Sequence, residues 1–186
     1  MKKEIRIIGI DDSPFDKHRD RTLLVVGAVF RGGSALDGVL STRVVVDGND
    51  STEKLIRMIN GCKYKPQLKC ILLNGIAFGG FNIIDIQELN RRAAIPVIVV
   101  IRRKPGIANI RRILKRIGKA AEATLLDKAG TLSKVRNIYI QTAGISRQQA
   151  KEILDLTCTR ADIPEPLRIA HIIASGIVKG ESRGKA

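Results

Sequence analysis

Three polar side chains stand where apolar segments end, in positions from which a β-sheet could direct them at one point. Asp11 follows IRIIGI, Asp47 follows STRVVV and Asn74 follows KCILL. Carboxylate and amide oxygens are suitable ligands for Mg²⁺ or Mn²⁺, and such an ion can polarise a phosphodiester and activate a water molecule. The pattern therefore predicts a metal site formed by Asp11, Asp47 and Asn74, with phosphodiester hydrolysis as its chemistry.

The same residues have an ordinary structural interpretation. Asp11 can help to build the turn around Pro14, and Asp47 can contribute to the cap of a following helix, because Asx side chains are common at both kinds of position. Residue types alone leave the two interpretations open.

The elements that must position these residues begin with three strands. Segments 4–10, 22–30 and 39–46 are rich in β-branched residues and show no helical periodicity. Because the links between them are short and polar or glycine-bearing, they predict an antiparallel meander.

Helices and strands alternate after the meander. A helix is expected over 49–61, a buried strand over 69–73, a helix over 81–93 and a second buried strand over 95–101. A strand, a crossover helix and a strand form a parallel pair. This pattern matches a ribonuclease H-like α/β fold, with a mixed five-stranded sheet in the order 3-2-1-4-5 and extra C-terminal helices. A doubly wound parallel sheet competes, but 22–46 leaves no room for a crossover helix.

The chain has the length of one domain, predicted over 1–179, followed by a flexible basic tail over 180–186. No segment approaches the 18 or so apolar residues of a membrane helix. Three cysteines without CxxC spacing favour neither zinc nor a disulfide framework, so a reducing cytoplasm is the expected location. The oligomeric state is not indicated.

The charge of the chain favours a polyanionic partner. There are 33 Lys and Arg residues against 18 Asp and Glu, a formal charge of +15. Between Leu89 and Ala121 lie ten basic residues and no acid: Arg91, Arg92, Arg102, Arg103, Lys104, Arg111, Arg112, Lys115, Arg116 and Lys119. Such a concentration predicts binding to DNA or RNA, although simple solubility is an alternative.

A glycine-rich segment follows Asn74. Gly75, Gly79 and Gly80 could present backbone N–H groups to a nucleic-acid phosphate or to an extruded base, or they could serve only tight turning and close packing. The segment matches no nucleotide-binding fingerprint. Arg102 and Lys104, past the end of a strand at the same predicted sheet edge, are further candidates for nucleic-acid contact.

The order of the motifs GIDDSP, VVVDGND, ILLNGIAFGG, IPVIVVIRRKPG and IPEPLRIAHIIASG resembles the archaeal endonuclease dU family, a relative of endonuclease V, over nearly the whole chain. The resemblance implies a ribonuclease H-like, Mg²⁺-dependent endonuclease acting near deaminated bases. It places Asp11, Asp47 and Asn74 at the metal, Arg103 at the position of a catalytic lysine, and His171 at that of an acid or histidine on the last helix.

Two departures from the endonuclease V pattern keep other functions open. Asn74 stands where an Asp is expected, which removes a charge from the metal site, and Asp85 is a candidate for a compensating carboxylate. SALDG, before the third strand, replaces a Tyr and Pro wedge. The hypotheses are therefore a metal-dependent endonuclease, a catalytically impaired nucleic-acid-binding protein and a small-molecule phosphatase.

Overall fold

The computed structural model describes residues 4–184, which form one large mixed sheet with helices on both faces. The strands of this sheet are β1 (Arg6–Asp12), β2 (Thr22–Arg31), β3 (Ala35–Val45), β4 (Leu68–Asn74), β7 (Val97–Ile101), β8 (Ser133–Val135) and β9 (Ile138–Ala143). A separate small hairpin consists of β5 (Ala77–Phe78) and β6 (Asn82–Ile83).

The strand order of the sheet is β3-β2-β1-β4-β7-β9-β8. Strands β1, β4 and β7 are parallel and central, and β2 and β3 extend them as an antiparallel meander. The predicted order 3-2-1-4-5 is thus confirmed over these five strands, but the prediction of only five strands was wrong. Strands β9 and β8 pair antiparallel beyond β7, covering an edge that would otherwise leave backbone hydrogen-bonding groups unpaired.

The helices divide between the two faces of the sheet. They are α1 (Ser51–Asn60), α2 (Ile86–Ala93), α3 (Ile107–Arg116), α4 (Ala120–Lys128), α5 (Arg147–Thr157) and α6 (Glu165–Lys179). Helices α1 and α2 pack on one face, together with the β5–β6 hairpin. Helices α5 and α6 pack on the other face, and α3 and α4 pack against the hairpin.

Two predicted boundaries differ from the structure. Strand β3 begins at Ala35 rather than at residue 39, so SALDG belongs mostly to a strand and follows a tight turn at 32–34. The expected helix over 81–93 begins only at Ile86, because Asn82 and Ile83 pair with β5. The apolar run in this segment is too short to distinguish a strand from the first turn of a helix.

Close contact between α6 and the centre of the sheet positions the last helix over β1. A Cβ atom added at Gly9 would lie only 2.3 Å from the backbone carbon of Pro166. The absence of a side chain at Gly9 therefore allows the first turn of α6 to rest directly on the strand that ends in Asp11. Since both elements are fixed by this contact, residues further along α6 have a defined distance from the end of β1.

Residues 181–184, predicted as part of a flexible tail, turn back along α6. The Ser182 hydroxyl donates a hydrogen bond to the carbonyl oxygen of Ile172 at 2.9 Å, and the Arg183 amide donates to the Ser175 hydroxyl at 3.2 Å. Residues 185 and 186 of the predicted tail lie outside the described residues. None of the helices between residues 4 and 184 is long and apolar enough to cross a membrane.

Candidate functional site

Asp11 and Asn74 are neighbours at the carboxyl edge of the parallel strands. Ile10 of β1 lies opposite Leu73 of β4, so the next residue of each strand is Asp11 and Asn74 respectively. Adjacent strands are about 4.8 Å apart, and side chains alternate between the faces of a sheet. The register therefore places both side chains on the face covered by α5 and α6, as the sequence predicted for this pair.

His171 of α6 completes this cluster. Its Nδ1 atom lies 2.9 Å from Oδ2 of Asp11, and the Asp11 carboxylate is almost fully buried. This hydrogen bond to Asp11 is the main cause that raises the pKa of His171, so the imidazolium form is favoured by the fold. The His171 Nε2 atom is buried and has no hydrogen-bond partner among the residues that the structure describes.

These residues line one open pocket of about 400 Å³. Its lining consists of Asp11, Asp12, Ser13, Pro14, Phe15, Asn74 and His171. Asp12, which the sequence analysis did not select, thus belongs to the same site as Asp11. The available signal in the sequence was the acidic doublet of Asp11 and Asp12 before Pro14.

Asp12 carries an electrostatic conflict. The pKa of its carboxyl is raised to about 6, mainly by burial and also by the neighbouring Asp11, although a hydrogen bond from the Gly79 amide at 2.7 Å opposes the shift. At neutral pH the folded protein therefore holds two adjacent carboxylates, one of which is ionised at an energetic cost. A pKa shift of this kind is typical of functional sites.

We expect Asp12→Asn to raise the free energy of unfolding by about 3 kcal/mol at pH 7.5 in the presence of EDTA. The pKa of a free Asp is 3.8 and that of folded Asp12 is about 6, so the destabilisation is fully present above pH 6 and disappears below 3.8. The difference between variant and wild type, measured by urea unfolding, should therefore vanish near pH 3.5. An equal difference at both pH values would contradict this cause.

Asp47, predicted as a metal ligand beside Asp11 and Asn74, does not line their pocket. Its carboxylate pairs with Lys17 at 2.9 Å and accepts a hydrogen bond from the Phe81 amide at 2.9 Å. The Asp47 amide donates to the carbonyl oxygen of Gly79, and the Gly79 amide donates to Asp12. Asp47 therefore lies in an adjacent cluster, joined to the pocket through Gly79.

Gly80 allows the glycine-rich loop to approach Asp47. It has a φ of +91°, and an added Cβ would lie 2.3 Å from Oδ1 of Asp47. Close packing, one of the two interpretations left open for these glycines, is thus present at Gly80. Contact between Gly75, Gly79 or Gly80 and a nucleic acid stays a prediction.

Gly80→Ala should lower the free energy of unfolding by more than about 2 kcal/mol, because it adds a collision with Asp47 to the strain of a positive φ. Gly118→Ala is a matched control, since Gly118 has a φ of +77° and no described atom lies within 4 Å of an added Cβ. The control substitution should lower the free energy of unfolding by only about 1 kcal/mol. If urea unfolding shows the same loss of free energy of unfolding in both variants, the contact with Asp47 does not contribute to the effect of Gly80→Ala.

Three further residues of this region are now placed. Phe78 is fully buried, so it has no face free for a nucleic-acid base, whereas Phe81 is half-buried and lies 5.4 Å from the Lys17 ammonium group. Asp85 caps α2, where its carboxylate accepts hydrogen bonds from the Gln87 and Glu88 amides. Asp85 therefore acts as the N-terminal acid of a helix, which accounts for its position without a role at the metal.

The basic loop after β7 lies at the same edge of the sheet. Asn74 pairs with Val100, and Arg102, Arg103 and Lys104 follow directly and are exposed. The positive charge of Arg102 acts against the rise in the pKa of His171. The catalytic role expected for Arg103 and the nucleic-acid contact expected for Lys104 stay predictions.

The ten basic residues of the charged segment fall into two groups. Arg91, Arg92, Arg111 and Lys119 form ion pairs with nearby acids. Six others form none within residues 4–184: Arg102, Arg103, Lys104, Arg112, Lys115 and Arg116. The unpaired group follows the loop after β7 and the exposed side of α3, so a positive surface begins beside the pocket.

The pocket suits a divalent cation held partly by the protein and partly by a substrate. Between residues 4 and 184, no three His, Cys, Asp or Glu side chains lie together closely enough to hold a metal ion. Mg²⁺, however, commonly uses one or two carboxylates and completes its shell with water and phosphate oxygens. Asp11 and the Asn74 amide provide such donors, while Asp12 lines the same pocket with its carboxylate turned towards the Gly79 amide.

The fold is that of the ribonuclease H-like nucleases of the endonuclease V type. Endonuclease V of Ciona intestinalis, in complex with a 24mer DNA containing an inosine followed by a ribo-adenosine, aligns with a TM-score of 0.61 and 17% identity over 96% of this chain and 87% of its own. Endonuclease V of Bacillus subtilis aligns with a TM-score of 0.60 and 8% identity, over 96% of this chain and 81% of its own.

The chain belongs to the endonuclease dU family, whose model matches residues 3–178. A UPF0215 protein of Methanothermobacter thermautotrophicus is 51% identical over the whole of this chain and 94% of its own length. A crystal structure of a protein of unknown function from Archaeoglobus fulgidus has a TM-score of 0.89 and 40% identity, and the alignment covers 95% of this chain and all of that one. The family suspected from the motifs is therefore confirmed.

Proposed function

We propose that this protein is a metal-dependent endonuclease that hydrolyses phosphodiester bonds of DNA or RNA. The observation that carries the proposal is the single pocket in which Asp11, Asp12, Asn74 and His171 meet, at the carboxyl edge of the central strands. The unpaired basic residues of the loop after β7 begin at the same edge, where a phosphate backbone would be attracted. Membership of the endonuclease dU family supports the same activity.

Each group of the pocket has a role in this proposal. Asp11 and Asn74, with Asp12 beside them in the lining of the pocket, would hold Mg²⁺ or Mn²⁺, and the ion would supply a Lewis acid that lowers the pKa of a bound water. Asp11 also orients His171 through Nδ1 and stabilises its positive charge. His171, whose Nε2 atom is buried, in turn holds the Asp11 carboxylate in a fixed position at the pocket. Arg102 and its neighbours neutralise the phosphates of the bound strand.

Deaminated bases are the proposed target within the strand. The family is described as endonuclease dU, and the Ciona endonuclease V of similar fold was crystallised with DNA that contains an inosine. The glycine-rich loop, held by Asp12 and Asp47 through the Gly79 and Phe81 amides, provides a fixed backbone surface beside the pocket. An extruded base could bind against such a surface through backbone hydrogen bonds.

The test is incubation of the purified protein with labelled strands that contain uracil, inosine or no modified base. Each strand is tested with Mg²⁺, Mn²⁺ and EDTA. We expect metal-dependent nicking that is faster on a modified strand than on the matched unmodified strand. Absence of nicking with every strand and metal would contradict the proposed hydrolysis.

A nucleic-acid-binding protein without turnover is the second candidate function. It is favoured by one observation: the pocket contains an amide at Asn74 and no set of three acidic or histidine ligands within residues 4–184. In that case, strands should bind with a strong dependence on salt, and no metal should produce a nick.

A further inference from the structure

A second pocket, lined mainly by basic residues, lies between the β8–β9 hairpin and the beginning of α5. It has a volume of about 460 Å³ and is lined by Lys134, Val135, Arg136, Arg147, Gln148 and Lys151. Four of its six lining residues are cations and none is an acid. The charged segment of the sequence does not include any of them, and the mechanism proposed above does not use them.

Two of the four cations are only partly neutralised and two are not neutralised at all. Lys151 pairs with Asp155 at 2.8 Å, and Arg136 approaches the same carboxylate at 3.6 Å and that of Asp162 at 3.9 Å. Lys134 and Arg147 are exposed and form no ion pair within the described part of the chain. Since the two nearby acids, Asp155 and Asp162, face only Arg136 and Lys151, the pocket retains the positive charge of Lys134 and Arg147.

The Arg147 side chain has a defined direction. Its guanidinium donates a hydrogen bond to the Lys134 carbonyl oxygen at 2.9 Å, which joins α5 to β8. Arg147 is also the first residue of α5, whose positive helix end adds to the charge of the side chains. A guanidinium fixed in this way is well suited to bind a phosphate oxygen.

The pocket is connected to the candidate active site along one edge of the sheet. Tyr139 of β9 pairs with Ile101 of β7, so the turn between β8 and β9 lies beside the loop that contains Arg102. A smaller pocket, lined in part by Arg102 and Asn137, lies between the two regions. The hairpin turn itself carries Arg136, so positive groups continue from the site to the second pocket.

We propose that the pocket of Lys134, Arg136, Arg147 and Lys151 binds the phosphate backbone of the nucleic acid at a distance from the cleaved bond. This inference rests on the nucleic-acid partner of the proposed function, but it does not depend on hydrolysis. Strand β8 is three strands away from β4, or about 14 Å. At about 3.4 Å per nucleotide, a strand must extend roughly four nucleotides beyond the site to reach the pocket.

The test compares a double variant, Lys134→Gln with Arg147→Gln, with a control that loses the same charge elsewhere. The control is Lys63→Gln with Lys69→Gln, whose residues are exposed and lie before or at the beginning of β4, at the opposite edge of the sheet. Binding of a 30-nucleotide single strand and of a 4-nucleotide strand is measured in EDTA over a salt series. Thermal unfolding of each variant confirms that it is folded.

The pocket variant should bind the long strand roughly 10- to 30-fold more weakly at 0.1 M salt, with the slope of log affinity against log salt reduced by about 1.4. Its affinity for the 4-nucleotide strand should equal that of the wild type. Equal slopes for the pocket and control variants, or no binding by the wild type, would overturn the inference. Binding that behaves as expected without any nicking by the wild type would support the pocket and reject only the hydrolysis.

Discussion

Asp11→Asn should reduce strand cleavage by at least about a hundredfold, a loss in the range expected when an active site loses one of its charge-stabilising groups. The substitution preserves the shape of the side chain but removes its charge from the cation site. It also removes the anionic partner of His171, which lies 2.9 Å away. Both proposed roles of Asp11 are therefore lost together, while the buried position still contains a polar group of the same size.

The control for this variant is Asp37→Asn. Asp37 is also an ion-paired carboxylate, but it contacts Arg6 and Arg31 near the other end of β1. We expect this control to keep its cleavage rate when it is assayed below its unfolding temperature. Equal losses of cleavage in the two variants would indicate a general effect of charge removal on the fold.

An NMR titration of His171 separates the two roles of Asp11. The chain contains only two histidines, so the signals of His171 and His18 can be assigned by substitution. The pKa of His171 should fall in Asp11→Asn, because the hydrogen bond to the Asp11 carboxylate is the main cause of its rise. An unchanged pKa would show that Asp11 does not stabilise the imidazolium, whatever the effect on cleavage.

The convergence of Asp11 and Asn74 was predictable because it depends only on local rules. Two apolar segments that each end in a polar residue, with a crossover helix between them, become parallel strands, and parallel neighbours in register bring their ends together. The position of His171 beside Asp11 could not be predicted from such rules. Its distance from Asp11 depends on the packing of α6 against Gly9, a contact across almost the whole length of the chain.

The position of Asp47 outside the pocket has a different physical origin. Asp47 lies beyond the end of β3 and has a φ of +51°, a conformation that a non-glycine residue seldom adopts. Its direction is set by the glycine-rich loop, which contributes the Phe81 amide as a hydrogen-bond donor. That loop contains the β5–β6 hairpin, which was predicted as part of a helix, so its contacts with Asp47 could not be anticipated.

The pocket of Lys134, Arg136, Arg147 and Lys151 shows that a basic run in the sequence does not locate all of the unneutralised positive charge of the folded protein. Its cations come from two segments, 134–136 and 147–151, that are separated in the sequence and contain other residue types. In contrast, the continuous basic run over 91–119 contains four residues that are neutralised by ion pairs in the fold. A run of charge in a sequence is therefore a poor guide to where the unneutralised charge lies.

Asn74→Asp should increase the affinity for Mg²⁺ by about tenfold or more, because ligand charge is a main determinant of affinity for hard cations. The new carboxylate would join Asp11 and Asp12 in the pocket. If the metal is required for cleavage, the midpoint of a Mg²⁺ titration of cleavage should move to lower concentration. Direct metal binding, measured by calorimetry, gives the same information when the wild type does not cleave.

The same variant should be less stable than the wild type in EDTA and regain stability when Mg²⁺ is added. Without a cation, a third carboxylate adds repulsion to a pocket in which the pKa of Asp12 is already raised to about 6. Asn60→Asp is a suitable control, since Asn60 is exposed at the end of α1, far from the pocket, and should show no response to Mg²⁺. A response of equal size in both variants would contradict a cation site at Asn74. Stabilisation by Mg²⁺ in Asn74→Asp alone would identify this pocket as the binding site, because the two variants differ only in where the charge was placed.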